Sequence, residues 1–234
     1  MNAPIIFVGG SKGGVGKSIL AMTLLDYLSN DSRTPALIET DTSNPDVWKS
    51  YRNTVGNTTK NLDDAEGWIE LVNLLAGEVE SDTNITPTTP VVINSAARAN
   101  DSVLKNGDIL SGALSELVRE LITVWVINRQ RDSLELLRDY MDAMPTAKVH
   151  VIKNGYFGDD KKFELYNNSK IRKAVEDAGG KSLYFPDLAD RVSDELYTKR
   201  LTIADALGEL PLGSKAELQR WRAAAHEVAK EILG

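Results

Sequence analysis

Eight residues near the N-terminus, SKGGVGKS at positions 11–18, limit the fold of this chain more than any other segment. They follow the apolar run PIIFVGG (4–10) and open a helical pattern, so a strand must turn through three glycines straight into a helix. Glycines let backbone N–H groups converge on an anion, and the helix N-terminus adds about half a positive charge. Gly13, Gly14, Val15, Gly16 and Ile19 then supply the backbone of a phosphate cradle. Lys17 reaches the β- and γ-phosphates, and the Ser18 hydroxyl ligates Mg²⁺. The usual spacing G-x-x-x-x-G-K-[ST] has lost its first glycine, because Ser11 stands there. A plain glycine-rich turn is the competing reading, but K-G-G-x-G-K-[ST] arises by chance at roughly one position in 10⁷.

The rest of the chain repeats the strand-then-helix alternation. Runs at 5–9, 35–40, 90–94, 123–128, 148–153 and 182–185 have the apolar character of buried strands. Stretches at 18–30, 65–77, 109–121, 133–144 and 161–179 read as helices, the last stopped by Gly179-Gly180. Such alternation predicts one α/β domain over residues 1–234, a doubly wound, mostly parallel sheet with helices on both faces. The polar stretches 53–63 and 81–89 are expected to be loops. Ligands of these sheets sit beyond the carboxyl ends of the strands, where SKGGVGKS lies.

Composition narrows the chemistry further. With 234 residues the chain can bury a full core. It has no cysteine, which removes disulfides, thiolate metal sites, iron–sulfur clusters and cysteine nucleophiles, and fits a reducing cytoplasm. No apolar stretch nears the roughly 20 residues of a membrane span. The net charge of −7 argues against an obvious nucleic-acid binder. From residue 191 onward, however, seven basic residues balance seven acidic ones. Arg191, Lys199, Arg200, Arg220 and Arg222 are the candidates for a local basic patch.

Lys12, ahead of the glycines, makes the loop resemble the deviant Walker A motif, K-G-G-x-G-K-[ST], of the ParA/MinD family of P-loop ATPases. The resemblance implies a P-loop NTPase fold of SIMIBI type, ATP and Mg²⁺ as ligands, and an ATP-dependent homodimer. In that dimer the earlier lysine touches the partner subunit's nucleotide. It also implies a catalytic carboxylate after the second strand, often D-x-D, that orients water and helps hold the Mg²⁺ shell. Here that stretch is Glu39-Thr40-Asp41, with Asp41 24 residues after Lys17, at the family's spacing. A simple turn cap is the alternative for Asp41.

The chain departs from the family at its Walker B strand. PVVIN (90–94) ends in Asn94, which can bond a metal-bound water but brings no charge. Residues 95–107 would form the second switch loop. Asn154, Pro186 and Asp187 match the family's adenine-lining segments, although Asn154-Gly155 is also a hairpin signal. The C-terminal stretch is amphipathic through Leu218, Trp221, Ala225, Val228 and Ile232; with its charges balanced, it is expected to dock on the core rather than lie on a membrane. The functional expectation is a slow, partner-stimulated ATPase switch in plasmid DNA partition, stability or mobilisation. A plasmid-encoded partner protein accompanies it, with DNA contacted directly or through that partner. A MinD-like membrane-positioning ATPase, a binding-only pseudo-ATPase and a metabolic ATP-dependent ligase are the alternatives.

Overall fold

The computed structural model describes residues 2–78 and 85–234. Its elements run β1 (Ile5–Gly10), α1 (Lys17–Asn30), β2 (Ala36–Glu39), α2 (Asp46–Tyr51), β3 (Gly56–Thr59) and α3 (Ala65–Ala76). There follow β4 (Val91–Asn94), α4 (Ala99–Leu117), β5 (Leu121–Ile127), α5 (Arg131–Ala143) and β6 (Lys148–Asn154). The chain ends with α6 (Glu164–Asn167), α7 (Lys170–Asp177), β7 (Ser182–Phe185), α8 (Asp190–Lys199), α9 (Ile203–Glu209) and α10 (Leu212–Leu233). The seven strands form one sheet in the order β3-β2-β4-β1-β5-β6-β7, and every pair is parallel.

Side chains alternate between the two faces with a period of two. Ile6, Val8, Leu37, Val92, Val124 and Ile152 pack with α1, α8, α9 and α10 on one face. Ile5, Phe7, Ile38, Ile93, Trp125 and Val151 pack with α3, α4 and α5 on the other. Burial on both faces is why the strands read as unbroken apolar runs. Leu218, Trp221, Ala225, Val228 and Ile232 of α10 are all buried, and the Trp221 indole donates to the Pro186 carbonyl at 2.9 Å. The helix is docked on the core, as expected.

The readings of 53–63, 95–121 and 161–179 need correction. Residues 56–59 (GNTT) form a strand inside the expected 53–63 loop. They have no apolar pattern because β3 is an edge strand, held by its backbone pairing with β2. The expected 81–89 loop lies partly outside the described residues. Residues 95–107, expected to form a switch loop, are mostly helical, since α4 already begins at Ala99; that helix ends at Leu117, not 121. Gly107 obscured this by resembling a break; inside α4 it admits Met144, whose sulfur would lie 2.7 Å from an added Cβ. Finally, 161–179 is divided, because the Ser169 hydroxyl caps a new helix by accepting the Arg172 N–H at 3.1 Å. Helices α2, α8 and α9 were not anticipated.

Candidate functional site

The carboxyl ends of β1, β2, β4 and β6 converge on a cleft of about 470 Å³, a size suited to a small-molecule ligand. The 11–18 loop forms its floor. Gly14 and Gly16 take φ values of +75° and +102°, the left-handed region that glycine enters without strain. Gly16 also caps α1, aiming that helix N-terminus into the cleft. Ser11, in the place of the usual glycine, is buried, and its Oγ lies 2.7 Å from Ser133 Oγ at the start of α5. Ser133 in turn donates to Asn128 Oδ1 at 2.7 Å. The hydroxyl thus ties the loop to α5, so the substitution keeps the loop's frame.

The two lysines of the loop go separate ways. Lys17 is only 8% exposed and lines the cleft, donating to the Lys12 carbonyl at 3.1 Å. Burial lowers its pKa, while the charges of Asp41 and Glu39 act in the opposite direction. Lys12 is exposed and does not line the cleft; its Nζ pairs with Asp132 Oδ2 at 2.6 Å. That hydrogen bond holds the Asp132 carboxyl below its ordinary range.

Asp41 lines the cleft, and its Oδ1 accepts the Asn44 N–H at 2.9 Å. It is therefore both a turn cap and a group beside Lys17. Asn94 sits on the same wall, with its Nδ2 donating to Glu39 Oε1 at 2.9 Å and Oε2 at 3.2 Å. Glu39 is completely buried, and desolvation pushes its carboxyl up to about 7. The sequence reading gave Glu39 no role, although an acid ending an apolar strand is a visible signal. Thr40 stitches the same corner together, its Oγ1 donating to the Asn94 carbonyl at 3.0 Å and accepting the Ala96 N–H at 3.1 Å.

On the opposite wall, Asn154 Nδ2 donates to the Val15 carbonyl at 2.8 Å and its Oδ1 accepts the Tyr156 N–H at 3.1 Å. No hairpin follows Asn154, since β6 and β7 are parallel. Pro186 and Asp187 line that wall, as do Tyr156 and Tyr197, which the sequence reading did not single out, and Trp221, expected only on the buried face of the C-terminal helix. Ser18 and Ile19 lie beside Gly16 on the floor. The structure therefore gathers all the expected site residues around one cleft except Lys12, at its outer side, and Val15, buried beneath the loop.

This donor set suits a magnesium–nucleotide: inward glycine backbone, one buried cation, a hydroxyl at the helix start and acceptors just after β2 and at the end of β4. One observation independently favours it. Asn94 Oδ1 is fully buried with no hydrogen-bond partner among the described residues, and a metal-bound water is a donor. A glycine-lined, lysine-floored cleft at the strand ends of a parallel sheet defines a P-loop nucleotide-binding protein. The chain belongs to the CobQ/CobB/MinD/ParA nucleotide binding domain family, whose pattern matches residues 6–168. It is 54% identical to Protein MobD of Acidithiobacillus ferrooxidans over 233 residues, covering 100% of this chain and 99% of that one. Among solved structures it resembles the MinD cell division protein of Aquifex aeolicus, with a TM-score of 0.59, 14% identity, and 99% and 97% of the two chains covered. It also resembles apo McdA of Cyanthece, with a TM-score of 0.53, 14% identity, and 99% and 100% covered. At these identities the two structures speak for the fold.

Proposed function

We propose that the protein is an ATP-dependent dimerisation switch with slow hydrolysis, acting in plasmid DNA mobilisation, partition or stability. The observation that carries this reading is the division of labour between the two loop lysines. Lys17 serves the chain's own cleft. Lys12 is held at the outer side by an ion pair whose partners are 44% and 59% exposed. Such a pair is worth at most about 1 kcal/mol. It is cheaply exchanged for a stronger contact, such as the nucleotide of a second subunit.

In this mechanism the loop backbone and Lys17 bind the triphosphate, and Ser18 ligates Mg²⁺. Asp41 and Asn94 hold waters of the metal's shell, and Mg²⁺ supplies charge neutralisation to the phosphates. Asp41 orients the attacking water. Asn154, Pro186 and Asp187 border the adenine, with Asn154 also fixing the loop through Val15. With a neutral Asn94 in place of the Walker B carboxylate, basal turnover is slow and the ATP dimer persists. The full-length match to MobD supports mobilisation over the metabolic ligase alternative. A partner protein stimulates turnover, and DNA is reached directly or through it.

Light scattering with ATP and Mg²⁺ tests the reading. The unsubstituted protein should double in mass, while Lys12→Ala should bind ATP within about threefold of normal yet stay monomeric, because only an exposed ion pair is lost. An ATP-induced dimer of the Lys12→Ala protein would remove the trans role of Lys12.

A further inference from the structure

Glu39 and Asn94 are direct partners in the β2–β4 register. An amide whose NH₂ is spent on a carboxylate has one orientation, since its flip would set Oδ1 against the Glu39 oxygens. Asn94 lines the cleft, and its Oδ1, facing away from the Glu39 carboxylate, is buried with no hydrogen-bond partner among the described residues. Glu39 does not itself line the cleft but holds Asn94, which does. The carboxyl group of this corner thus stands on β2 instead of β4.

We propose that Glu39 is the positioning residue that replaces the missing Walker B carboxylate. It fixes Asn94 with Oδ1 toward the metal-bound water and supplies from β2 the charge that β4 lacks. The inference rests on the proposed Mg²⁺–ATP site. Partners one shell behind a metal's ligands contribute about 10–100-fold in affinity.

The readout is the ratio of ATP dissociation constants without and with Mg²⁺, by calorimetry at pH 8. Thermal unfolding of the nucleotide-free variants confirms that they fold. Glu39 Oε1 accepts from both Asn94 Nδ2 and the Asp41 N–H, at 2.9 and 3.0 Å. Glu39→Gln can keep these two bonds through one oxygen but loses the charge and the second contact from Asn94 Nδ2 at 3.2 Å, so the ratio should fall about tenfold or more. Asn94→Asp alone puts two carboxylates in contact, so one retains a proton, the pair still carries a single charge and the ratio should not rise. Glu39→Gln combined with Asn94→Asp moves the charge to β4, with the new amide donating to the new carboxylate. It should recover the ratio to within about threefold.

An unchanged ratio in Glu39→Gln, no recovery in the double variant, or a tenfold rise in Asn94→Asp alone would each overturn the inference. If Glu39→Gln does not fold, Asn94→Asp alone still decides between the last outcome and the expected absence of gain. Absence of any Mg²⁺ effect in the unsubstituted protein would refute the metal site itself, and this inference with it. That outcome is distinct from a normal Mg²⁺ effect indifferent to Glu39.

Discussion

Replacing Arg222 with alanine should destabilise the fold rather than weaken contact with DNA. Arg222 projects from α10 toward Asp26 of α1, whose side chain is only 3% exposed. Its Nε and Nη2 donate to the two carboxylate oxygens at 2.6 and 3.1 Å, and His226 Nε2 lies 2.6 Å from Oδ2. Removing one partner of a buried pair costs about 3–5 kcal/mol, because the remaining charge is stranded. Here His226 remains and the Arg222 side chain is 23% exposed, so water replaces part of the contact. We expect a loss of about 2–3 kcal/mol for Arg222→Ala. At about 2–4 °C per kcal/mol for a chain of this length, the midpoint falls by about 4–12 °C. Thermal and urea unfolding measure this, with an unchanged urea slope showing that the unfolded state is unaffected. Arg220→Ala is the control, since its ion pair with Glu217 is exposed and worth at most about 1 kcal/mol. Equal losses in the two variants would refute the argument. A selective fall in duplex binding by Arg222→Ala, with no loss of stability, would restore Arg222 to a DNA-facing patch.

The remaining expectations concern the site and acid stability. Lys17→Ala should weaken ATP binding about 100-fold in calorimetry, because a charge-assisted phosphate contact in a closed site is lost; unchanged affinity would sink the phosphate-loop reading. Asp41→Ala should bind ATP and dimerise but slow single-turnover hydrolysis by about 10²-fold or more, whereas an unaltered rate would leave Asp41 as a turn cap alone. His150 is buried in β6, where it accepts the Lys181 N–H at Nδ1, and burial holds its pKa down at about 4. The native state therefore keeps it neutral while the unfolded chain protonates near 6.5, so its stabilising effect is complete above pH 6.5 and fades toward pH 4. Between pH 7.5 and 4.5 this amounts to about 2–3 kcal/mol, which urea unfolding of His150→Leu against the unsubstituted protein should isolate. Parallel pH curves for the two would show that His150 is not the acid-sensitive group.

The glycine loop between strand and helix, the alternating architecture and the buried face of α10 were legible in the chain because each rests on neighbours in sequence. A loop of glycines between strand and helix, a period of two, and a helical stripe are local patterns. β3 was not legible, because an edge strand lies where side chains need not be apolar and backbone pairing does the work. α4 was shortened by a glycine that looked like a break, and only its packing against Met144 gives that glycine its purpose.

The sequence by itself therefore determined where the glycine loop falls and which faces of its helices and strands are buried. Only the tertiary structure decided which distant charges meet. Asn94 alone reads as a lost carboxylate, but β4 lies beside β2 in the sheet, and so Asn94 meets Glu39 from 55 residues away. Arg222 alone reads as a surface cation, until α10 packs on α1 and brings it to Asp26. A buried charge is tolerable only with a partner, and the partner is chosen by strand order and helix docking, which no local pattern specifies.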